Sequence, residues 1–145
     1  MSSFEITVDA SLKDSQNGEH KVVGVGFQIH NTSNGSRSKV VDDSFGYESN
    51  DLSVEEAELL GIYRSLYRLK RITKDERVVV VTVKNDNQTV IEQLQNTSPK
   101  NTIGEDIISL CDEHFYITHW EWTDSDNLYK EDYAAGKEAN IVKHC

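Results

Sequence analysis

Residues 77–83 read Arg-Val-Val-Val-Val-Thr-Val. A continuous run of β-branched apolar residues leaves no regular polar position to face water. It predicts a strand buried on both faces, as at the centre of an α/β sheet. Such a strand needs neighbours on either side and helices over the sheet, so this one segment constrains the fold class more than any other. The 145 residues suffice for one sheet and one core, and predict a single domain over 1–145.

The other elements arrange themselves around this strand. Residues 4–10 alternate, with Phe4, Ile6 and Val8 on one face and Glu5, Thr7 and Asp9 on the other, which is strand periodicity. Asn17-Gly18 and Asn34-Gly35 are hairpin turn signals. They separate this strand from a second over Val22 to His30 and a third over Lys39 to Tyr47, giving an antiparallel meander. Ser53 with Glu56 forms a capping box, and Leu59, Ile62, Tyr63, Leu66 and Leu69 carry the apolar stripe of a helix ending near Arg71. After the valine strand, Asp86-Asn87 caps a short helix bearing Val90, Ile91 and Leu94. A helix over about 103–114, a strand over Phe115 to Trp122 and a last helix over Leu128 to Val142 complete the order β-β-β-α-β-α-α-β-α.

Composition removes several classes of function. No apolar stretch approaches the roughly 20 residues of a membrane-spanning helix, and the N-terminal residues do not read as a signal peptide. Cys111 and Cys145 are the only cysteines, too few for a disulfide framework, and a reducing, cytoplasmic setting is expected. The formal charge of -10, from 25 acids against 15 lysines and arginines, is the wrong sign for a protein that meets phosphate with basic side chains. It does not exclude one that meets phosphate through bound cations, and excess acid also serves plain solubility.

Four of those acids stand where such a site would form. Asp9 ends the first strand and Asp86 follows the valine strand, and in α/β sheets sites gather beyond strand ends. Glu58 borders the apolar stripe of the first helix, with Glu55 one turn away as a rival. Asp132 lies in the last helix, near Tyr129, Gly136 and Ala139 on the same face. Four converging carboxylates coexist at neutral pH only if cations neutralise them or some stay protonated. Oxygen ligands suit Mg²⁺ or Mn²⁺, and a pair of such ions about 4 Å apart can activate water and stabilise a leaving oxygen in phosphodiester cleavage.

These residues, in this order, resemble type 1 ribonuclease H. The likeness is carried by Ile6-Thr7-Val8-Asp9-Ala10-Ser11, Ala57-Glu58-Leu59-Leu60, Asp86-Asn87-Gln88-Thr89-Val90-Ile91, Trp120-Glu121-Trp122 and Glu131-Asp132-Tyr133-Ala134-Ala135, which together span nearly the whole chain. The resemblance implies an α/β, ribonuclease H-like fold: a five-stranded mixed sheet, three strands antiparallel and two parallel, with helices on both faces. It implies a metal-dependent endoribonuclease that cleaves the RNA strand of RNA–DNA hybrids, leaving 5′-phosphate and 3′-hydroxyl ends. Asp9, Glu58, Asp86 and Asp132 would be the catalytic residues and the ligands of two Mg²⁺ or Mn²⁺ ions. Asp9 would bridge the ions, Asp132 would join it on the side of the attacking water, and Glu58 and Asp86 would serve the leaving 3′-oxygen. Ser11, Asn87 and Gln88 would contact the hybrid.

The chain also departs from that pattern. Ser11-Leu12-Lys13-Asp14-Ser15 stands where the family usually has a glycine-rich loop, Val54 and Glu55 stand where it often has asparagines, and Thr123-Asp124-Ser125-Asp126-Asn127 lacks the family's histidine. These differences predict slow turnover. They keep two other readings open: a nuclease of the same fold acting on structured DNA, and a catalytically weakened module binding nucleic acid or protein. Taken singly, Asp86 reads as a helix N-cap and Glu58 as a solvated helix charge. Trp120 and Trp122 read as core, and Cys111 as a packed thiol.

Overall fold

The structure, a computed structural model, describes residues 1–14, 21–49 and 52–124. Its elements are β1 (Ser2–Asp14), β2 (Lys21–Asn31), β3 (Ser38–Ser49), α1 (Val54–Ile72), β4 (Val79–Asn85), α2 (Gln88–Gln95), α3 (Thr102–His114) and β5 (Ile117–Trp122). The expected order is reproduced through the fifth strand. The last predicted helix, Leu128 to Val142, lies outside the described residues.

The valine run forms β4, in a five-stranded sheet of order β3-β2-β1-β4-β5. β1 pairs antiparallel with β2 and parallel with β4, β2 pairs antiparallel with β3, and β4 pairs parallel with β5. The expectation of a strand buried on both faces needs correction. Val79, Val81, Val83 and Asn85 are buried, but the alternate residues Val80, Thr82 and Lys84 are only half-buried. On this second face Lys84 lies 3.4 Å from Glu5.

The core lies on the opposite face. Phe4, Ile6 and Val8 of β1, Val23, Val25, Phe27 and Ile29 of β2, and Val79, Val81 and Val83 of β4 meet Ala57, Ile62, Leu66 and Leu69 of α1. The helix begins with the predicted capping box: the Glu56 amide donates to the Ser53 hydroxyl, and the Glu56 carboxylate accepts from the Ser53 amide. Gly61 sets how closely α1 approaches the sheet. A Cβ there would lie 2.7 Å from Val25 Cγ1 and 2.9 Å from Val8 Cγ1. α3 packs on α1, α2 packs on β5, and the three helices touch one another. Helices on both faces were expected; the predicted last helix, Leu128 to Val142, lies outside the described residues.

Three local expectations change. Phe115 does not start β5 but ends α3, its amide donating to the Cys111 carbonyl. Asn87, not Asp86, caps α2, through a bond from the Val90 amide to Asn87 Oδ1. Trp122 is not core. It is 51% exposed, because its indole N–H donates to the Asp86 carbonyl at 3.0 Å, and this holds the ring at the rim of the strand ends. Trp120 is half-buried and packs against the core. Cys111 is buried as expected, and burial pushes its thiol up to about 11. Such a group stays protonated and inert at neutral pH. No helix among the described residues is long and apolar enough to cross a membrane.

Candidate metal centre

The order β3-β2-β1-β4-β5 creates a fork between β1 and β4. β1 runs on to Asp14 paired with β2 alone and β4 ends at Asn85, so past their last shared pair the two parallel strands part and leave a crevice, although Asp9, expected at the end of its strand, lies within β1. This is the switch-point position at which α/β sheets bind ligands. β1 and β4 stay in register as far as Thr7 and Lys84. Asp9 and Asp86 come just beyond, one from each side of the fork.

Glu58 reaches the same crevice from the second turn of α1. One carboxylate oxygen accepts from the Ala10 amide at 3.2 Å, and the other accepts from the Asn85 amide at 2.5 Å. Asp9 and Glu58 are each 3% exposed, and Asp86 is half-buried. Asp9, Glu58 and Asp86 each offer a carboxylate oxygen, and these oxygens lie within 4.8 Å of one another. Glu55 is half-buried and outside this group.

The electrostatics follow from burial. Desolvation, reinforced by the charge of Asp86, pushes the Glu58 carboxyl from 4.5 up to about 7, although hydrogen bonds donated by Asn85 and Ala10, and a hydrogen bond shared with Asp9, pull the other way. At neutral pH the cluster therefore sits at the edge of taking up a proton, which is the expected answer of crowded buried carboxylates to their repulsion. A divalent cation answers it equally well. The donors are all hard oxygens, within a space a single ion can span, so the residues fit Mg²⁺ or Mn²⁺ chemistry.

Asn85 was not singled out from the sequence. It is fully buried, and its amide group donates to both the Val8 carbonyl (2.9 Å) and Glu58, while its oxygen accepts from the Asn87 amide at 2.9 Å. One side chain thus closes the fork between β1 and β4, orients Glu58 and sets the start of α2. The available signal was an amide residue placed directly after a run of valines, where a buried polar group needs several partners.

The remaining predicted site residues are placed less directly. Asn87 is occupied by capping α2. Gln88 is exposed in the first turn of α2 and donates to Glu92 at 3.3 Å. Ser11 is half-buried on β1, two residues past Asp9. Asp132 lies outside the described residues.

No family model matches the sequence, and no curated protein matches it. Solved structures do match in shape. The chain is similar to LC11-RNase H1 in complex with RNA/DNA hybrid, at 14% identity and a TM-score of 0.78 over 96% of this chain and 98% of that one. The RNase H1 of the halophilic archaeon Halobacterium salinarum gives 15% identity and a TM-score of 0.66 over 96% and 98%. The N-terminal RNase H domain of rv2228c from Mycobacterium tuberculosis gives 13% and 0.70 over 97% and 96%. The chain has the ribonuclease H fold over nearly its full length.

Proposed function

We propose that the chain acts as a single domain over 1–145, in the cytoplasm, as a metal-dependent endonuclease that cleaves the RNA strand of RNA–DNA hybrids. The observation that carries this reading is the gathering of the Asp9, Glu58 and Asp86 carboxylates within 4.8 Å at the β1–β4 fork. The hybrid is favoured as substrate because the fold is shared with LC11-RNase H1, which was solved with such a hybrid.

In this reading Asp9 would be a ligand shared by a pair of Mg²⁺ or Mn²⁺ ions. Asp132 would join it on the water side, and Glu58 and Asp86 would serve the side of the leaving 3′-oxygen. The ions, when bound, supply Lewis-acid stabilisation and an activated water. The protein supplies position. Asn85 and the Ala10 amide fix the Glu58 carboxylate, and Glu58 must give up its proton to solvent before it can ligate. Trp122 holds the Asp86 backbone, and Asn87 starts α2 so that Gln88 stands exposed beside the crevice, where it and Ser11 contact the hybrid.

The test is cleavage of a labelled RNA–DNA hybrid with Mg²⁺ and with Mn²⁺, by the parent and by Asp9→Asn and Asp86→Asn. The parent is expected to cut the RNA strand, leaving 5′-phosphates, and both variants to be inactive. Cutting of branched DNA but not of hybrids would replace the substrate. A folded parent that cuts nothing with either ion would overturn the nuclease reading in favour of a binding module.

A further inference from the structure

The positive charge of this acidic chain is unevenly spread. Six of its fifteen lysines and arginines lie in residues 64–77, with only two acids among them. One of those acids, Glu76, accepts a hydrogen bond from the Ser2 hydroxyl. The segment is the C-terminal half of α1 and the turn after it. Along a helix that rises about 1.5 Å per residue, the row begins about 9 Å from Glu58 at Arg64 and ends about 20 Å from it at Arg71, so the patch runs away from the carboxylate cluster.

Arg64, Arg68 and Arg71 follow one another at intervals of four and three residues, which puts them in one row on the helix surface. All three are exposed. With Phe27, Asp43, Phe45 and Tyr67 they line a groove of about 230 Å³ between α1 and the β2–β3 edge. Two of the guanidinium groups are held in place. Arg64 lies over the Phe45 ring at 4.7 Å, and Arg68 lies 3.4 Å from Asp43. Within the row, Tyr67 stacks on Tyr63 with ring centroids 6.3 Å apart, lies under Lys70, and remains 44% exposed.

The geometry points to a binding groove for single-stranded nucleic acid, taking up the unpaired strand that flanks the duplex at the metal centre. The row of arginines extends about 10 Å along the helix, the rise of about three nucleotides of one strand at about 3.4 Å each. An exposed tyrosine stacked on Tyr63 can take an unstacked base once the flexible Lys70 side chain swings aside, and a duplex hides its base faces. An acidic peptide would match the charge but would add no stacking contact to the ring. The groove rests on the nuclease reading only for why such a strand would be present.

The full-length chain, kept in EDTA, is titrated into a labelled oligothymidylate at several salt concentrations. The triple variant Arg64→Gln/Arg68→Gln/Arg71→Gln should bind at least about tenfold more weakly, with the slope of log affinity against log salt reduced by about 2. Tyr67→Leu should weaken binding about tenfold with the salt slope unchanged. Arg68→Lys, which keeps the charge, should bind as the parent does, and circular dichroism melts establish that each variant is folded. Unchanged affinity and slope in the folded triple variant would overturn the inference. So would equal competition by oligoglutamate together with an unaffected Tyr67→Leu, which would indicate an acidic protein partner instead. Asp9→Asn should leave oligothymidylate binding intact. Binding that depends on the arginines in a parent that cuts no hybrid would therefore sink the nuclease reading while leaving the groove.

Discussion

The Asn85 amide donates to the Glu58 carboxylate at 2.5 Å while holding the Val8 carbonyl at 2.9 Å. A neutral donor from β4 thereby orients an acid from α1 and ties together two strands that are separating. Replacing it with Asp keeps the size and removes both donors, and it adds a carboxylate to a buried acidic cluster. Each buried polar group left without a partner costs about 1–3 kcal/mol. Asn85→Asp is therefore expected to lose at least about 2 kcal/mol in EDTA and to regain more stability than the parent on adding Mg²⁺. Urea denaturation with and without the ion measures both. An Asp variant as stable as the parent in EDTA would show that the donor role is unimportant.

Glu58 ties stability to pH in an unusual direction. Burial raises its carboxyl from 4.5 to about 7, so between those values the folded state holds a proton that the unfolded state has released. Stability is then fully present below about pH 4.5, falls as pH rises through the window, and levels off above about 7, a loss of up to about 3 kcal/mol. Glu58→Gln removes this dependence and should be the more stable protein at about pH 8 in EDTA, by about 1–3 kcal/mol. Mg²⁺ affinity in the parent should climb up to about tenfold per pH unit below 7 and then flatten, because the ligand must first lose its proton. Paired denaturation curves at low and high pH decide it: a parent that gains stability as pH rises from 5 to 7, relative to Glu58→Gln, contradicts the assignment.

Much of this fold is legible in local sequence because its signals are local. The 77–83 run, the Asn34-Gly35 turn and the Ser53–Glu56 capping box each act within a few residues. Glu58 and Asp86 were legible as candidates because a helix stripe and a strand end fix where each must lie; Asp9 was legible from its strand too, but as a strand end, whereas β1 runs on to Asp14. Asn85 was not, because its role comes from three partners on separate segments, Val8, Glu58 and Asn87. Trp122 misled for a related reason. Its spacing with Trp120 suggests a shared buried face, but a bond to the backbone carbonyl just past the end of the neighbouring strand β4 decides where the ring lies. The second face of β4 looked apolar from its valines, yet Lys84 and Glu5 meet there.

The Trp122 indole N–H bonds to the carbonyl of Asp86, a residue of the carboxylate cluster, so its emission should report on the ions. Titrating Mg²⁺ or Mn²⁺ into the parent is expected to change tryptophan fluorescence in a saturable way. Trp122→Phe keeps Trp120 but should lose most of that signal, together with about 0.5–1.5 kcal/mol of stability from the missing hydrogen bond. A titration signal of equal size in Trp122→Phe would place the responding indole elsewhere.

Gly61 links the packing of α1 to the cluster. A Cβ at this position would meet Val25 Cγ1 at 2.7 Å and Val8 Cγ1 at 2.9 Å, both branched side chains of the sheet core. Alanine gains up to about 1 kcal/mol of helix propensity over glycine, but overpacking a tight contact costs about 1–3 kcal/mol, so Gly61→Ala is expected to be destabilising overall. The helix must lift or the valines must turn. Because the Val8 carbonyl holds Asn85, and Asn85 holds Glu58, the displacement should reach the metal ligands and weaken Mg²⁺ binding. Adding Val25→Ala relieves the shorter contact, so the double variant should bind Mg²⁺ more tightly than Gly61→Ala alone and lose less stability than the two single changes summed. Additive stability losses with unaltered Mg²⁺ affinity would show that α1 can move off the sheet without disturbing Glu58.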